Sequence, residues 1–464
     1  MKFNYAKTIE KWDVFEVTVS GPKEGNPFCD QWIKGTFCCK NEKKTVDGFY
    51  DGDGVYKVRF MPSFTDEYTF EIEASFDINA EYKLGTADGG KAAEKCAVRN
   101  ILTGIFTVIP PSADNHGPVR VAGTYYLAYE DGTPYHCIGT TCYVWNLQNK
   151  ELQKQTLKTL EENAFNKIRF CIFPKHYDYN LHEPITYPYE GTPCDSSVLN
   201  ENNFAEYNGC APGNDWDFTR FNPAHFQHIE KCIQALMKLG IEADLIVMHP
   251  YDRWGFSMMK AEDDDRYWKY VLARFSAYRN VWWSLANEYD LMHEKTLADW
   301  ERYAAIICEK DPYHHLRSIH NCKAYYDYNL PWVTHCSIQR TETYRSSELV
   351  NEWREKYHKP VVLDEICYEG NIQFGWGNIS GEEMTRRFWE AFCRGGYPGH
   401  GETYLSPDRI LWWSHGGVLH GTSPERIKFL AKIMEETPGL GVEPMPCKWD
   451  EVACRAAGFP ARKD

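Results

Sequence analysis

The sequence predicts an α/β fold in which a (β/α)8 (TIM) barrel follows an N-terminal antiparallel β-sandwich of the immunoglobulin-like type. Segments with two-residue apolar periodicity fill residues 1–112, and a Pro/Gly/Asn-rich segment follows at 110–118. Beyond it, apolar strand-like segments alternate with helices of 3.6-residue periodicity, which is typical of a βα-repeat. The expected domains are a sandwich at 1–115, a barrel at 116–440 and a C-terminal tail at 441–464.

Composition restricts the class of partner. The net charge of −15 argues against nucleic acid and anionic membrane surfaces. The aromatic content of 15% favours a ligand with flat apolar faces, such as a sugar. The 17 cysteines include no CxxC pair and are expected to be small core residues in a reducing compartment. The sequence has neither an apolar leader segment nor a run of about 18 apolar residues, so a cytoplasmic location is expected.

The sandwich prediction is based on three segments, 12–20, 54–62 and 67–76, in which apolar and polar residues alternate. Clusters of Gly, Asn, Asp and Pro separate these segments, as in sheets built from short antiparallel strands.

The barrel prediction is based on eight strand candidates with helices between them. An open, doubly wound sheet is the alternative, but it would need a glycine-rich phosphate-binding turn after its first strand, where Gly139-Thr-Thr-Cys-Tyr stands instead. Helices are predicted at 223–239, 263–278, 346–357 and 423–436. The strand candidates are 136–143, 167–173, 241–248, 281–286, 315–320, 332–338, 361–367 and one within 397–414.

The helix at 223–239 has the clearest boundaries. Asn222 is a favourable N-cap, Pro223 suits the first helical position, and Gly240 suits the position after the last turn. The long segment 174–218, rich in Tyr, Pro, Asn and Gly, follows the second strand. In a barrel it would lie on the C-terminal face, where it is expected to form a wall that faces substrate.

Two predicted strands end in carboxylates. The segment 281–286 is followed by Asn287-Glu288, and the segment 361–367 contains Asp364-Glu365. Burial of a carboxylate costs several kcal/mol unless the group is paired or used. The fourth and seventh strands face each other across a barrel mouth, and two carboxylates about 5 Å apart are what a retaining glycosidase needs. Since neighbouring residues of a strand point to opposite faces, only one of Asp364 and Glu365 is expected to enter the mouth.

These residues resemble the pattern of clan A glycoside hydrolases, which carry Asn-Glu after strand four and Glu after strand seven. Longer segments are similar to bacterial proteins in which a β-sandwich precedes a barrel of the apiosidase-like or endoglucanase type. They include GFYDGDGVYKVRFMP, GTPYHCIGTTCYVWN, SLANEYD and LWWSHGGVLHG, and the resemblance covers about residues 10–440. Such proteins continue into a small C-terminal β-domain, so the tail at 441–464 could alternatively be the start of that domain.

The resemblance implies a retaining glycoside hydrolase that cleaves a β-linked glycan or oligosaccharide by double displacement. It makes Glu288 the general acid/base, Glu365 the nucleophile and Asn287 the hydrogen-bond partner of a sugar 2-hydroxyl. Arg169, at the end of strand two, could keep Glu365 ionised or form a structural ion pair. If the register of the seventh strand shifts, Glu369 becomes a rival nucleophile, and Glu402 is a further spare carboxylate.

Other residues are candidates for binding the sugar. Histidines at strand ends could bind hydroxyls or simply be satisfied loop residues, and tryptophans could stack on a sugar ring or pack in the core. These candidates are His249, His320, His335, Trp145, Trp412 and Trp413.

Two alternative functions remain open. One is a catalytically inactive carbohydrate-binding or scaffold protein, which would lack one of the two carboxylates. The other is a metal-dependent hydrolase, but the first strand carries no HxH and the chain no HExxH, so no metal or cofactor is predicted. The expected partner is an oligosaccharide or polysaccharide, and self-association into a homo-oligomer through the sandwich is left open.

Overall fold

The computed structural model describes residues 3–78, 100–181, 183–340, 342 and 345–444. Most of the predicted tail at 441–464 therefore lies outside the described residues. Among the helices of the described part, none is both long and apolar enough to cross a bilayer.

The N-terminal domain consists of two packed sheets, as predicted. Aromatic and β-branched side chains of both sheets form one core between them. Neighbouring strands are antiparallel except for Thr8–Glu10, which pairs in parallel with the end of Asn100–Ile109. In spatial order, one sheet contains Phe3–Tyr5, Phe15–Ser20, Val55–Phe60 and Phe49–Tyr50, and the other contains Thr8–Glu10, Asn100–Ile109, Glu67–Ala74, Ile33–Cys39 and Glu42–Asp47.

The second domain is an eight-stranded parallel barrel, which confirms the predicted fold class. The first strand pairs with both the second and the eighth. Between strands five and six the barrel closes through a bridge from His320 to Ser337 and a 3.0 Å hydrogen bond from the Thr334 N–H to the Arg317 carbonyl. The strands are Gly139–Thr141, Lys167–Cys171, Glu242–Met248, Val281–Ala286, Arg317–Ser318, Cys336–Gln339, Val361–Glu365 and Tyr397–His400.

Helices cover the outside of the barrel. The predicted N-cap is present, since the Asn222 side chain accepts a 3.2 Å hydrogen bond from the Ala224 N–H. Gly240 ends the same helix in a left-handed conformation (φ +69°). The barrel helices are Lys150–Glu161, Pro223–Lys238, Ala261–Phe275, Leu297–Lys310, Val350–Tyr357, Gly381–Cys393 and Ser423–Glu435, and shorter ones are Pro27–Asp30 and Trp412–His415.

One βα unit is incomplete. Residues 319–335, all of which the structure describes, contain no helix, although helices were expected between all the strands. This segment lacks a 3.6-residue apolar repeat, and Tyr326, Tyr328 and Trp332 are buried along it instead. These side chains contact the two flanking helices: Trp332 donates a 3.3 Å hydrogen bond to Glu301 of Leu297–Lys310, and Tyr328 packs edge-on against Tyr357 of Val350–Tyr357.

Three short strand pairs complete the fold. The hairpin of Val119–Ala122 and Tyr126–Tyr129 packs against residues at the N-terminal ends of the barrel strands. Tyr189–Thr192 and Asp215–Phe221 form a hairpin within the long segment after strand two. Beyond strands seven and eight, Glu369–Gly370 pairs with Glu402–Thr403.

A buried charge network joins the sandwich to the barrel. Arg59 of the sandwich donates to the Glu230 carboxylate at 2.6 and 3.1 Å. Arg274 lies 2.7 Å from Glu230 and 2.7 Å from Asp51 of the sandwich. Glu230 thus balances two buried guanidinium groups from different domains.

We expect Glu230→Ala to lower the free energy of unfolding by about 3–5 kcal/mol, because it leaves Arg59 and Arg274 without one of their counter-charges. Urea unfolding followed by circular dichroism measures this. The matched control is Glu151→Ala, which removes an exposed ion pair with Lys154 and should cost less than about 1 kcal/mol. Equal losses in the two variants would mean that the network does not join the domains energetically.

Candidate active site

A layer of charged side chains fills the barrel below its C-terminal mouth. Lys167 Nζ lies 2.6 Å from Asp244 Oδ2 and 2.6 Å from Asp364 Oδ1. Arg169, two residues further along the same strand, places Nε 3.8 Å from each of these carboxylates. All four side chains are almost fully buried, so each cation is held by anions from neighbouring or opposite strands.

Asp364 and Glu365 both turn towards the barrel axis, contrary to the expected alternation. Asp364 binds Lys167 in the charged layer, whereas Glu365 lies above it at the mouth. The cause is a register shift against strand six: Ser337 is opposite Val362, but Gln339 is opposite Glu365. One residue of strand six, Ile338, is therefore opposite two of strand seven, Leu363 and Asp364, and this bulge redirects a side chain.

Glu365 is surrounded by donors. Arg169 Nη1 lies 3.2 Å and His320 Nε2 3.4 Å from its Oε1, and the Tyr143 hydroxyl donates to the same oxygen. Burial by itself would raise the pKa of Glu365, but the hydrogen bond and charge of His320, the charge of Arg169 and the hydrogen bond from Tyr143 hold this pKa well below its usual value. Glu365 is thus an ionised carboxylate at neutral pH.

Glu288 has neutral partners. Gln339 Nε2 donates to its Oε1 at 2.8 Å, while Asn287 Nδ2 (3.3 Å) and the Tyr251 hydroxyl donate to Oε2. Its backbone is left-handed, with φ 50° and ψ 56°. For a residue with a side chain this conformation costs of order 1–3 kcal/mol. It turns the chain sharply at the end of strand four and brings the carboxylate into the cavity.

Asn287 connects the two carboxylates. Its Oδ1 accepts a 2.9 Å hydrogen bond from Arg169 Nη2 and one of 3.3 Å from the Tyr143 hydroxyl, while its amide donates to Glu288. Arg169 therefore positions both Asn287 and Glu365 from below. The sequence left two roles open for Arg169, a structural ion pair and the stabilisation of ionised Glu365. Both fit this geometry, since Arg169 lies close to buried structural carboxylates and to Glu365.

Glu288 and Glu365 face the same cavity, which has a volume of about 680 Å³ including its open mouth. Its other walls are largely aromatic, and they come from the segments that follow strands one, two, three, five, six, seven and eight. They are Tyr143, Lys175, Tyr177, Tyr251, Cys322, Gln339, Arg340, Cys367, Tyr368, Trp376 and Trp413.

Lys175 lies among the aromatic rings of this wall. Its Nζ is 3.4 Å from the centroid of the Tyr143 ring, 4.1 Å from that of Tyr251 and 4.9 Å from that of Trp413. Burial lowers the pKa of Lys175 to about 8. The cavity therefore presents an ammonium group that ring faces stabilise, close to the two carboxylates.

The predicted tryptophans do not lie together. Trp413 lines the cavity and packs edge-on against Tyr143. Trp145 packs against Phe170 in the core, and Trp412 donates a 2.8 Å hydrogen bond to Thr140 Oγ1. Neither Trp145 nor Trp412 lines the cavity, so of the three predicted tryptophans Trp413 is the one placed to stack on a sugar.

The predicted histidines also differ in position. His320 lies directly behind Glu365. His249 is buried next to the cavity wall, where its Nε2 lies 3.4 Å from the Phe173 carbonyl. His335 precedes strand six and packs against Trp282, at the N-terminal end of the barrel. The expectation that it ends a strand at the mouth was wrong, because the strand begins one residue after it.

The spare carboxylates Glu369 and Glu402 lie outside the cavity. They come together in the short parallel pair beyond strands seven and eight, where both accept hydrogen bonds from backbone N–H groups of residues 420–423. Glu369 is thus not placed as an alternative to Glu365.

Sequence reasoning missed most of the cavity wall. Tyr143, Lys175, Tyr251 and Gln339 were not singled out, although each ends or closely follows a barrel strand. Their positions at or just after the ends of barrel strands were the one sequence signal for a role in the site, since barrel sites are built from these segments. This signal does not tell which of the side chains in these segments point into the cavity.

The fold and the site together define a class of protein, the glycoside hydrolases built on a (β/α)8 barrel. The chain belongs to the family of apiosidase-like catalytic domains, whose model matches residues 122–437. A model for a domain of unknown function (DUF5060) matches residues 8–75. The resemblance inferred from the sequence segments is thereby confirmed.

Solved structures support the same placement. A candidate glycoside hydrolase from Bacteroides vulgatus ATCC 8482 is 41% identical, with a TM-score of 0.82 over 93% of this chain and 79% of that one. A second structure, described as a glycoside hydrolase, is 17% identical, has a TM-score of 0.50 over 70% of this chain and 76% of that one, and shows similarity of fold alone. No curated protein matches the chain.

We expect Lys167→Met to lower the free energy of unfolding by about 3–5 kcal/mol at pH 7, since it leaves Asp244 and Asp364 buried without their main counter-charge. Burial alone would raise the pKa of Asp364, but Lys167 and then Arg169 hold it well below its usual value. The stability that this low pKa contributes is present above the pKa of the unfolded chain, and it is lost as the pH falls through the folded value.

The difference between wild type and Lys167→Met should therefore be largest near neutral pH and narrow towards pH 4, where the unpaired carboxyls of the variant take up protons. Urea unfolding at several pH values measures it. Lys154→Met, which removes an exposed lysine, is the control and should have little effect at any pH. A difference that does not change with pH would contradict an electrostatic role for this layer.

Proposed function

We propose that the protein is a retaining glycosidase that acts on a β-linked glycan or oligosaccharide, with Glu365 as nucleophile and Glu288 as general acid/base. The observation that carries the proposal is the contrast between the two carboxylates of one cavity. Glu365 is held ionised by Arg169 and His320, whereas the hydrogen-bond partners of Glu288 are neutral. Two carboxyl groups with opposite tasks need such different surroundings.

In the first half of the reaction, the Glu365 carboxylate attacks the anomeric carbon while Glu288 gives its proton to the leaving oxygen. This breaks the glycosidic bond and forms a covalent glycosyl ester on Glu365. In the second half, Glu288 takes a proton from water, and the water oxygen displaces Glu365 from the same carbon. The sugar leaves with its original anomeric configuration.

The neighbours have positioning roles in this scheme. Arg169 and Tyr143 both donate to Glu365 and hold it near Asn287. The amide group of Asn287, which donates to Glu288, would bond a sugar hydroxyl that lies between the two carboxylates. Trp413 offers a ring for stacking, and Lys175 offers a donor to a hydroxyl or an acidic substituent. Because the family is described as apiosidase-like, the panel of glycosides to be tested should include an apioside.

We expect Glu365→Ala and Glu288→Ala to lose most activity on aryl β-glycosides, the loss for Glu288→Ala being about 10²–10⁴-fold. Added azide should restore turnover in both variants. In Glu365→Ala azide attacks from the vacated face and gives the inverted glycosyl azide, whereas in Glu288→Ala it replaces water and gives the retained one. Product anomers are assigned by NMR.

The control is Glu294→Ala, an exposed glutamate in the segment that follows Glu288. It should match wild type with and without azide. If both active-site variants keep wild-type rates on every glycoside that the enzyme cleaves, the two roles are wrong. If the folded wild type cleaves none of a broad panel but binds oligosaccharides, the inactive binding protein becomes the better description.

We expect Tyr143→Phe to move the acid limb of the kcat/KM profile to higher pH. A hydrogen bond to a charged group contributes about 1.5–3 kcal/mol, so its removal should raise the pKa of Glu365 by about one to two units. Since Glu365 must be ionised to attack, activity is then lost at a higher pH than in wild type.

The matched control is Tyr177→Phe, because Tyr177 lines the same cavity while its hydroxyl makes no hydrogen bond to Glu365 in the described part of the chain. Its acid limb should coincide with that of wild type. If the acid limb of the kcat/KM profile of Tyr143→Phe coincides with that of wild type, the Tyr143 hydroxyl does not help to keep Glu365 ionised.

A further inference from the structure

We propose that Glu369, His400 and Glu402 form a structural site for a divalent transition-metal ion of the Zn²⁺ or Mn²⁺ type, separate from the cavity. One ligand atom from each residue lies within 4.8 Å of the other two. Atoms that bind one ion at about 2.0–2.2 Å lie no more than about 4.4 Å apart, so binding would draw these side chains slightly closer together. A mixed imidazole and carboxylate set suits these ions, whereas Ca²⁺ prefers oxygen alone.

Charge is the first argument. Glu369 is 0% and Glu402 1% exposed. The ion pairs of the described residues include neither carboxylate, so no charged side chain of the described part balances them. Buried charges are normally paired with an opposite charge or coordinate a metal.

The hydrogen-bond partners of these carboxylates are neutral. Glu402 accepts from the backbone N–H groups of His420 (2.6 Å) and Gly421 (2.8 Å). Glu369 accepts from the N–H groups of Thr422 (2.7 Å) and Ser423 (3.1 Å), from the Ser423 hydroxyl (2.5 Å) and, at 3.3 Å, from that of Tyr404. These donors orient the carboxylates without neutralising them.

The free nitrogen of His400 is the second, independent argument. The imidazole is 0% exposed, its Nδ1 lies 3.2 Å from Thr140 Oγ1, and its Nε2 has no hydrogen-bond partner within the described part of the chain. With the proton on Nδ1 and donated to Thr140, Nε2 presents a lone pair. This is how metal-binding histidines are usually held, with the other ring nitrogen bonded to an oxygen.

The position of the cluster suggests what the ion would do. Glu369 follows Tyr368, which lines the cavity, and Glu402 precedes the segment that carries Trp413. Both carboxylates also hold the start of the last helix, Ser423–Glu435. An ion here would connect the segments after strands seven and eight, and so would stabilise one aromatic wall of the cavity without touching Glu288 or Glu365.

The first test uses the intact wild-type chain. It is produced in medium supplemented with ZnCl2 and MnCl2, purified without an affinity metal, and analysed by plasma mass spectrometry. We expect about one ion per chain. Treatment with EDTA followed by dialysis should lower the Tm, and ZnCl2 or MnCl2, added separately, should restore it, whereas CaCl2 should not.

The second test locates the ion. Glu402→Gln should lose it, and Thr140→Val should bind it about 10–100-fold more weakly, because it removes the acceptor for His400 Nδ1. The control Glu382→Gln changes an exposed glutamate on a neighbouring helix and should keep the ion and its affinity. Circular dichroism checks that each variant is folded.

Three results would overturn the proposal. The first is a wild type without stoichiometric metal whose Tm responds neither to EDTA nor to ZnCl2 or MnCl2. In that case the counter-charge is a proton on Glu402, whose pKa burial raises to about 7. The second is that CaCl2, but neither ZnCl2 nor MnCl2, restores the Tm after EDTA treatment. The third is that the Glu402→Gln variant is folded and still binds the ion. None of these results bears on the roles proposed for Glu288 and Glu365.

Discussion

The site depends on the pairing of charges inside the barrel. Lys167 and Arg169 project from one strand, and the carboxylates that balance them come from a neighbouring strand and from one across the barrel. Because cations and anions meet at hydrogen-bond distance in a dry interior, the layer has one favourable arrangement. The end of strand seven is thereby fixed, and with it the position of Glu365.

The different surroundings of the two carboxylates in the cavity follow in part from this charged layer. Arg169 is shared between the charged layer below and the pair Asn287 and Glu365 above, so its positive charge lies next to Glu365. Glu288 is reached from the other side by hydroxyl and amide groups. His320, Arg169 and Tyr143 thus give Glu365 surroundings that differ from those of Glu288, and acid/base and nucleophilic roles need such a difference.

The outer parts of the protein support this centre in different ways. The sandwich is joined to the barrel by buried arginines and carboxylates rather than by an apolar face alone. At the mouth, aromatic rings surround the ammonium group of Lys175, and the attraction between cation and ring faces stabilises this wall. Between strands five and six, aromatic side chains replace a helix.

The sequence alone determined the class of fold, because periodicity reports which face of each element is buried. It also indicated the strand-end carboxylates, because a charge after an apolar strand is costly unless it is used, but it favoured Glu365 over Asp364 only through its resemblance to clan A glycoside hydrolases. It could not determine which neighbours point into the cavity. That depends on the bulge at Glu365, the left-handed turn at Glu288 and the strand that begins after His335. Tyr143, Lys175 and Tyr251 come from segments far apart in the chain, and only closure of the barrel brings them together.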